Sequence, residues 1–128
     1  GFLADLTHSG VAALAYNLID GVPDSISGTV MQQYVDQARI FLNNVLRVSI
    51  GSNVITDAYH NVVVNLTAIK TLNRMEGVGA DFDWTLGQFS VKKAGTTTNS
   101  QQAKFIVDQL NAEMMGLRNI NIIDKANG

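Results

Sequence analysis

The 128-residue sequence contains no cysteine. That excludes disulfides, thiolate metal sites and a cysteine nucleophile, and it is compatible with a reducing compartment. Histidine is scarce: His8 and His60 are the only two. They are not four residues apart and neither stands beside a helical glutamate, so the usual zinc-binding helix face is missing. His60, beside an apolar stripe, reads as a boundary residue rather than a ligand. No G-x-S-x-G step marks a strained nucleophile elbow. Gly77-Val78-Gly79 lacks the third glycine and the strand–turn–helix context of a phosphate cradle, and reads as a hinge.

Charge is sparse as well. Charged residues make up 16% of the chain, against about 25% in ordinary globular proteins. The net charge is −2, so there is no basic footprint for gripping nucleic acid. Lys92-Lys93 is the densest positive spot. No apolar run approaches the roughly 20 residues that span a bilayer. The segment 1–5 lacks the basic n-region of a signal peptide. Asp5 stands where a myristoylation signal needs Ser or Thr. Asn, Gln, Ser and Thr fill much of the polar surface instead, and these tolerate a wet interface without a charge partner. A weakly charged monomer surface is an equal reading of the same composition.

What is present is mostly helical periodicity. The length fits a single domain. A first helix is expected over residues 3–19, with a candidate break at Ser9-Gly10. Val11, Leu14, Ala15 and Leu18 share one face, and Gly21 is a C′ candidate. A turn through Pro23 leads to a second helix over 28–47, N-capped by Ser27. Its stripe is Val30, Tyr34, Ala38, Phe41, Leu42 and Val45, and Arg47 suits the negative end of the helix dipole. A third helix is expected over 56–75 with the stripe Tyr59, Val62, Val63, Leu66, Ile69 and Leu72. Its β-branched Val62-Val63-Val64 lowers intrinsic propensity, but the periodicity outweighs it. A fourth is expected over 100–117, where Asn99 and Gln102 resemble a capping box. It buries Ala103, Ile106, Val107, Leu110, Met114 and Leu117.

Between helices three and four lies the one β-like stretch, within residues 80–95. Phe82, Trp84 and Leu86 alternate with Asp83 and Thr85, and Phe89 and Val91 alternate with Gln88, Ser90 and Lys92. Gly87 is a turn or a bulge. A lone hairpin is marginal in water and must lean on its own helices or on a neighbouring copy. Asp81 and Asp83 make a weak cation site without a third oxygen ligand, and solubilising charge is the plainer role. Residues 118–128 read as an extended tail, because Arg118-Asn119-Ile120-Asn121-Ile122-Ile123-Asp124 alternates like a strand. Ile120, Ile122 and Ile123 would either fold back on the bundle or dock on another molecule by strand addition. The expected fold is therefore mainly α: a four-helix bundle-like domain over 1–117 with a β-hairpin or arm, then an extended C-terminal docking tail over 118–128.

The order of these parts resembles the head–tail connector (adaptor) proteins of tailed bacteriophages. The resemblance rests on the helices containing Gln32-Gln33-Tyr34-Val35-Asp36-Gln37-Ala38-Arg39-Ile40-Phe41-Leu42 and Tyr59-His60-Asn61-Val62-Val63-Val64-Asn65-Leu66-Thr67-Ala68. It continues through Leu86-Gly87-Gln88-Phe89-Ser90-Val91, then Ala103-Lys104 and the segment 110–117 in the last helix. In that family a Leu-Gly-x-x-Ser-Val-like step joins the helical hairpin to the final helix. The match spans residues 30–119, and its motifs are loose helix spacings. The longer, Ala-rich first segment departs from the family pattern.

The resemblance implies a structural virion protein of the neck, assembled in the host cytoplasm. Subunits of that family form a homo-oligomeric ring, typically a dodecamer, on the portal protein. The ring extends the DNA channel without sequence-specific binding and receives the next neck or tail protein. Phe82, Trp84, Leu86, Phe89, Val91, Lys92 and Lys93 of the arm would then bridge subunits or face the next ring. Ile120, Ile122 and Ile123 would dock. A net-negative subunit suits a conduit that must not hold DNA tightly. No enzyme activity, cofactor, metal or membrane partner is expected. Two other readings compete. One is a cellular helical-bundle module that captures a protein partner in a groove. The other is a small enzyme built on Asp81, Asp83 or His60.

Overall fold

The computed structural model describes residues 8–19, 21–51, 57–76, 80–83, 88–91 and 98–127. The fold is mainly helical: α1 (His8–Leu18), α2 (Gly28–Leu46), α3 (Asp57–Glu76), β1 (Ala80–Asp83), β2 (Gln88–Val91) and α4 (Thr98–Asn127). The helices pack as a bundle around α3, which touches α1, α2 and α4, while α1 and α2 also pack on each other.

Centrality changes what α3 must look like. The expected stripe is buried at Val62, Val63, Leu66, Ile69 and Leu72, with Tyr59 half-buried. Burial does not stop at a stripe, however, because positions 62–69 are buried without interruption. The β-branched run is thereby explained: its propensity cost of tenths of a kcal/mol per residue is small beside the burial of three valines. Two buried hydroxyls are satisfied locally. Thr67 Oγ1 donates to the Val63 carbonyl at 2.8 Å and Thr71 Oγ1 to the Thr67 carbonyl at 2.9 Å, so neither leaves a polar orphan in the core.

α2 starts where Ser27 Oγ accepts from the Val30 N–H at 3.2 Å, which is the expected N-cap. Its buried line is Met31, Val35, Ala38, Leu42 and Leu46, which keeps Ala38 and Leu42 of the expected stripe and turns the remainder of the face by one position. Val30, Phe41 and Val45 are only partly buried. The shift follows from α2 packing against both α1 and α3, which centres its buried face between the two contacts. At the other end Arg47 adopts a left-handed conformation, φ 54° and ψ 49°. Its N–H and that of Val48, at 3.3 Å, both go to the Asn43 carbonyl, and Val48 packs on the core. The left-handed residue closes the helix with a 5→1 bond of its own and the 6→1 bond of Val48, with arginine where glycine is usual. Arg47→Gly is accordingly expected to stabilise the chain by about 1 kcal/mol by relieving the left-handed penalty, read as a higher urea midpoint.

The segment after this closure is strapped back onto α2. The Ile50 N–H donates to Asn43 Oδ1 at 2.8 Å, and Asn43 Nδ2 donates to the Ile50 carbonyl at 3.3 Å. Arg39 adds a bond to the same carbonyl at 3.2 Å while its guanidinium pairs with Asp36. Ile50 can therefore be buried with its backbone groups satisfied.

Three expectations are corrected. Gly21 (φ 76°) serves the turn beyond α1 rather than its C′ position; the candidate break at Ser9-Gly10 falls at the first described turn of α1, with residues 1–7 outside the described residues. Asn99 is not the N-cap of the last helix: α4 already includes Thr98, and the Asn99 side chain accepts from Gln102 Nε2 at 3.1 Å inside the first turn. The third concerns the tail. Residues 118–127 are not extended but continue α4. The strand-like stretch there, Arg118 to Asp124, is short and contains no proline. Propagating an existing helix costs far less than nucleating a new element, so the preceding turns prevail.

A candidate interaction surface

The hairpin is antiparallel, with Ala80 opposite Val91, Asp81 opposite Ser90, Phe82 opposite Phe89 and Asp83 opposite Gln88. Its two strands make a sheet of their own, and β2 lies against α4. Val91 is half-buried against the helical core, so part of this arm residue is committed to its own chain. Phe82 and Phe89 hold facing register positions in β1 and β2. Trp84, Leu86, Lys92 and Lys93 lie outside the described residues. Ile120, Ile122 and Ile123 occupy the last turns of α4. The structure thus joins Phe82, Phe89 and Val91 in one hairpin, and puts the three isoleucines on a separate element.

A second surface was not read from the sequence. α4 buries the six expected side chains from Ala103 to Leu117, yet α3 and β2 are the elements it packs against most. Its outer flank carries Phe105, 60% exposed, and near it the end of α1 presents Leu18, 37% exposed. Leu18 belongs to two open clefts. One, of about 500 Å³, is bounded by Asn61, Val64 and Asn65 of α3 and by Gln109, Ala112 and Glu113 of α4. The other, of about 340 Å³, runs along Thr98, Gln101, Gln102, Phe105 and Ile106 of α4. Leu18 walls both, and amide side chains line each; the larger of the two is a trough between α3 and α4.

Glu113 and Asn65 give the trough its polar centre. Asn65 is 4% exposed and its Nδ2 donates to Glu113 Oε1 at 2.7 Å. Burial pushes the Glu113 carboxyl above the usual carboxylate range, and the bond from Asn65 pulls it partway back. A carboxyl raised by the fold favours the folded state when protonated. Its contribution is full below the ordinary carboxylate range and is lost as pH rises through the raised value. Glu113→Gln, which keeps an acceptor for Asn65, is thus expected to raise stability at neutral pH and to leave it nearly unchanged in acid. Thermal unfolding across a pH series checks this.

Sequence periodicity assigned Leu18 to the buried face of α1 and left Phe105 off the stripe of α4. An aromatic lying off a well-formed stripe was the available signal. Among the described residues no three His, Asp or Glu side chains gather as metal ligands, and no helix is long and apolar enough to cross a membrane. His60 is buried on α3. Asp81 and Asp83 are alternate positions of β1. Comparison with protein-family models, with curated proteins and with solved structures returned no match.

Proposed function

We propose that this chain is a structural subunit that joins copies of itself and other proteins, specifically a head–tail connector (adaptor) subunit of a tailed bacteriophage. It would form a ring on the portal, extend the DNA channel and carry the next neck or tail protein. The observation that carries the reading is the two-stranded hairpin inserted between α3 and α4. Among the described residues no third strand pairs with either edge of this sheet, an arrangement that suits pairing with another element, and it falls where the resemblance implies an arm. The apolar flank at Leu18 and Phe105 supports the same reading, since exposed apolar surface beside polar rims is typical of contact sites.

The test is direct. Purified chain mixed with the portal protein encoded in the same genome is expected to give annular complexes in negative stain and a ring-sized mass by native mass spectrometry. A failure to associate under all conditions overturns the reading. Deleting residues 119–128 separates it from the single-partner module: a connector keeps its melting temperature and loses portal binding, whereas the module loses stability.

A further inference from the structure

The packing divides the helices unequally. α1, α2 and α3 each pack on the other two and form a closed triangle, whereas α4 packs chiefly on α3 and on β2. The hairpin is held in turn by the pairing of its own strands and by α4. α4 commits one face, through Ile106, Leu110 and Met114, and leaves Phe105 and Met115 in solvent. Parting the α3–α4 seam therefore keeps the contacts of the triangle, the condition for an opening smaller than global unfolding.

One height of that seam borders the open cleft of about 500 Å³, and there the 2.7 Å hydrogen bond from Asn65 to Glu113 ties the two helices together. Facing the carboxyl are Asn61, Val64 and Asn65 of α3, Gln109 and Ala112 of its own helix, and Leu18 of α1. None of these ionises, and α2, β1 and β2 contribute no lining residue among the described ones. An ionised Glu113 meets no counter-charge among them and regains full hydration when the seam parts. A neutral Glu113 has less to gain.

We propose that α4 and the hairpin form one unit that opens from the α1–α2–α3 triangle, with the Asn65–Glu113 contact as its pH-dependent latch. The sign follows from burial, which holds the closed carboxyl above its ordinary range. Below that range both forms carry the proton, and the closed form keeps its full advantage. As pH rises through the raised value the advantage is lost, the open form gaining up to about tenfold per pH unit between the two values. Acid fastens α4 and neutral pH loosens it. The latch belongs to the single chain and stands apart from the connector reading.

Amide hydrogen exchange of the full-length chain, resolved by NMR over a pH series and corrected for intrinsic exchange, tests both parts. In wild type the amides of α4 and β2 are expected to exchange through a more populated opening than those of α1 and α2, and that opening grows with pH across the carboxylate range. Glu113→Gln is expected to flatten this pH dependence, slowing α4 exchange at neutral pH and leaving it unchanged in acid. Val35→Ala, at an enclosed site of α2, weakens only the triangle: it speeds α1 and α2 exchange and leaves α4 at its wild-type rate. If α4 shares one opening with α1 and α2 in wild type, the unit does not exist and the proposal is overturned without any variant. It is equally overturned if Glu113→Gln retains the wild-type pH dependence, or if Val35→Ala speeds all four helices alike.

Discussion

Leu72→Ala is expected to lower the unfolding free energy by about 3 kcal/mol, the middle of the 2–5 kcal/mol range for emptying a buried leucine site. Leu72 is completely enclosed near the end of α3, the helix that touches all three others. Two of its neighbours, α1 and α2, already pack on each other, which limits how far they can slide inward to close a cavity there. For a domain with a total stability of about 5–15 kcal/mol, this is a large fraction. Urea unfolding with an unchanged slope and a lower midpoint is the expected signature. Leu72→Met, which conserves volume, should cost less than about 1.5 kcal/mol. A loss below about 1 kcal/mol for the alanine variant would mean that α3 is not the centre of the bundle.

Asn43→Ala is the second large effect, expected at about 2 kcal/mol. The truncation removes both bonds of the clamp to Ile50. The Ile50 N–H is left in a buried position without a partner, and the cost of a stranded donor is roughly 1–3 kcal/mol. The carbonyl of Ile50 still has Arg39, so the donor side dominates. Asn43→Asp keeps the acceptor for the Ile50 N–H and loses only the weaker, longer bond. Its loss should therefore be clearly smaller than that of alanine. Equal losses in the two variants would overturn this account of the clamp.

Much of the helical framework was legible because its causes are local. Ser27 caps α2 by its own hydroxyl, and the six buried residues of α4 recur at helical spacing. The hairpin too was marked by alternation, and of its expected residues Phe82, Phe89 and Val91 stand in the two strands, while Trp84 and Leu86 lie outside the described residues. What could not be read was decided by neighbours. Asn65, Thr67 and Thr71 are polar side chains outside the expected stripe, yet they are buried because α3 is surrounded, and they find hydrogen-bond partners within the fold. The trough depends on the end of α1 lying near α4, which no spacing within either helix specifies. The tail misled for the opposite reason: a short alternation was weighed without the long helix that precedes it.

That long helix has a mechanical consequence. Thr98–Asn127 is one uninterrupted rod, about 45 Å at 1.5 Å per residue. Its distal turns and the turn bearing Glu113 cannot swivel independently. Whatever grips the far end also sets the azimuth of the cleft around the helix axis, so the two are geared together rather than merely tethered.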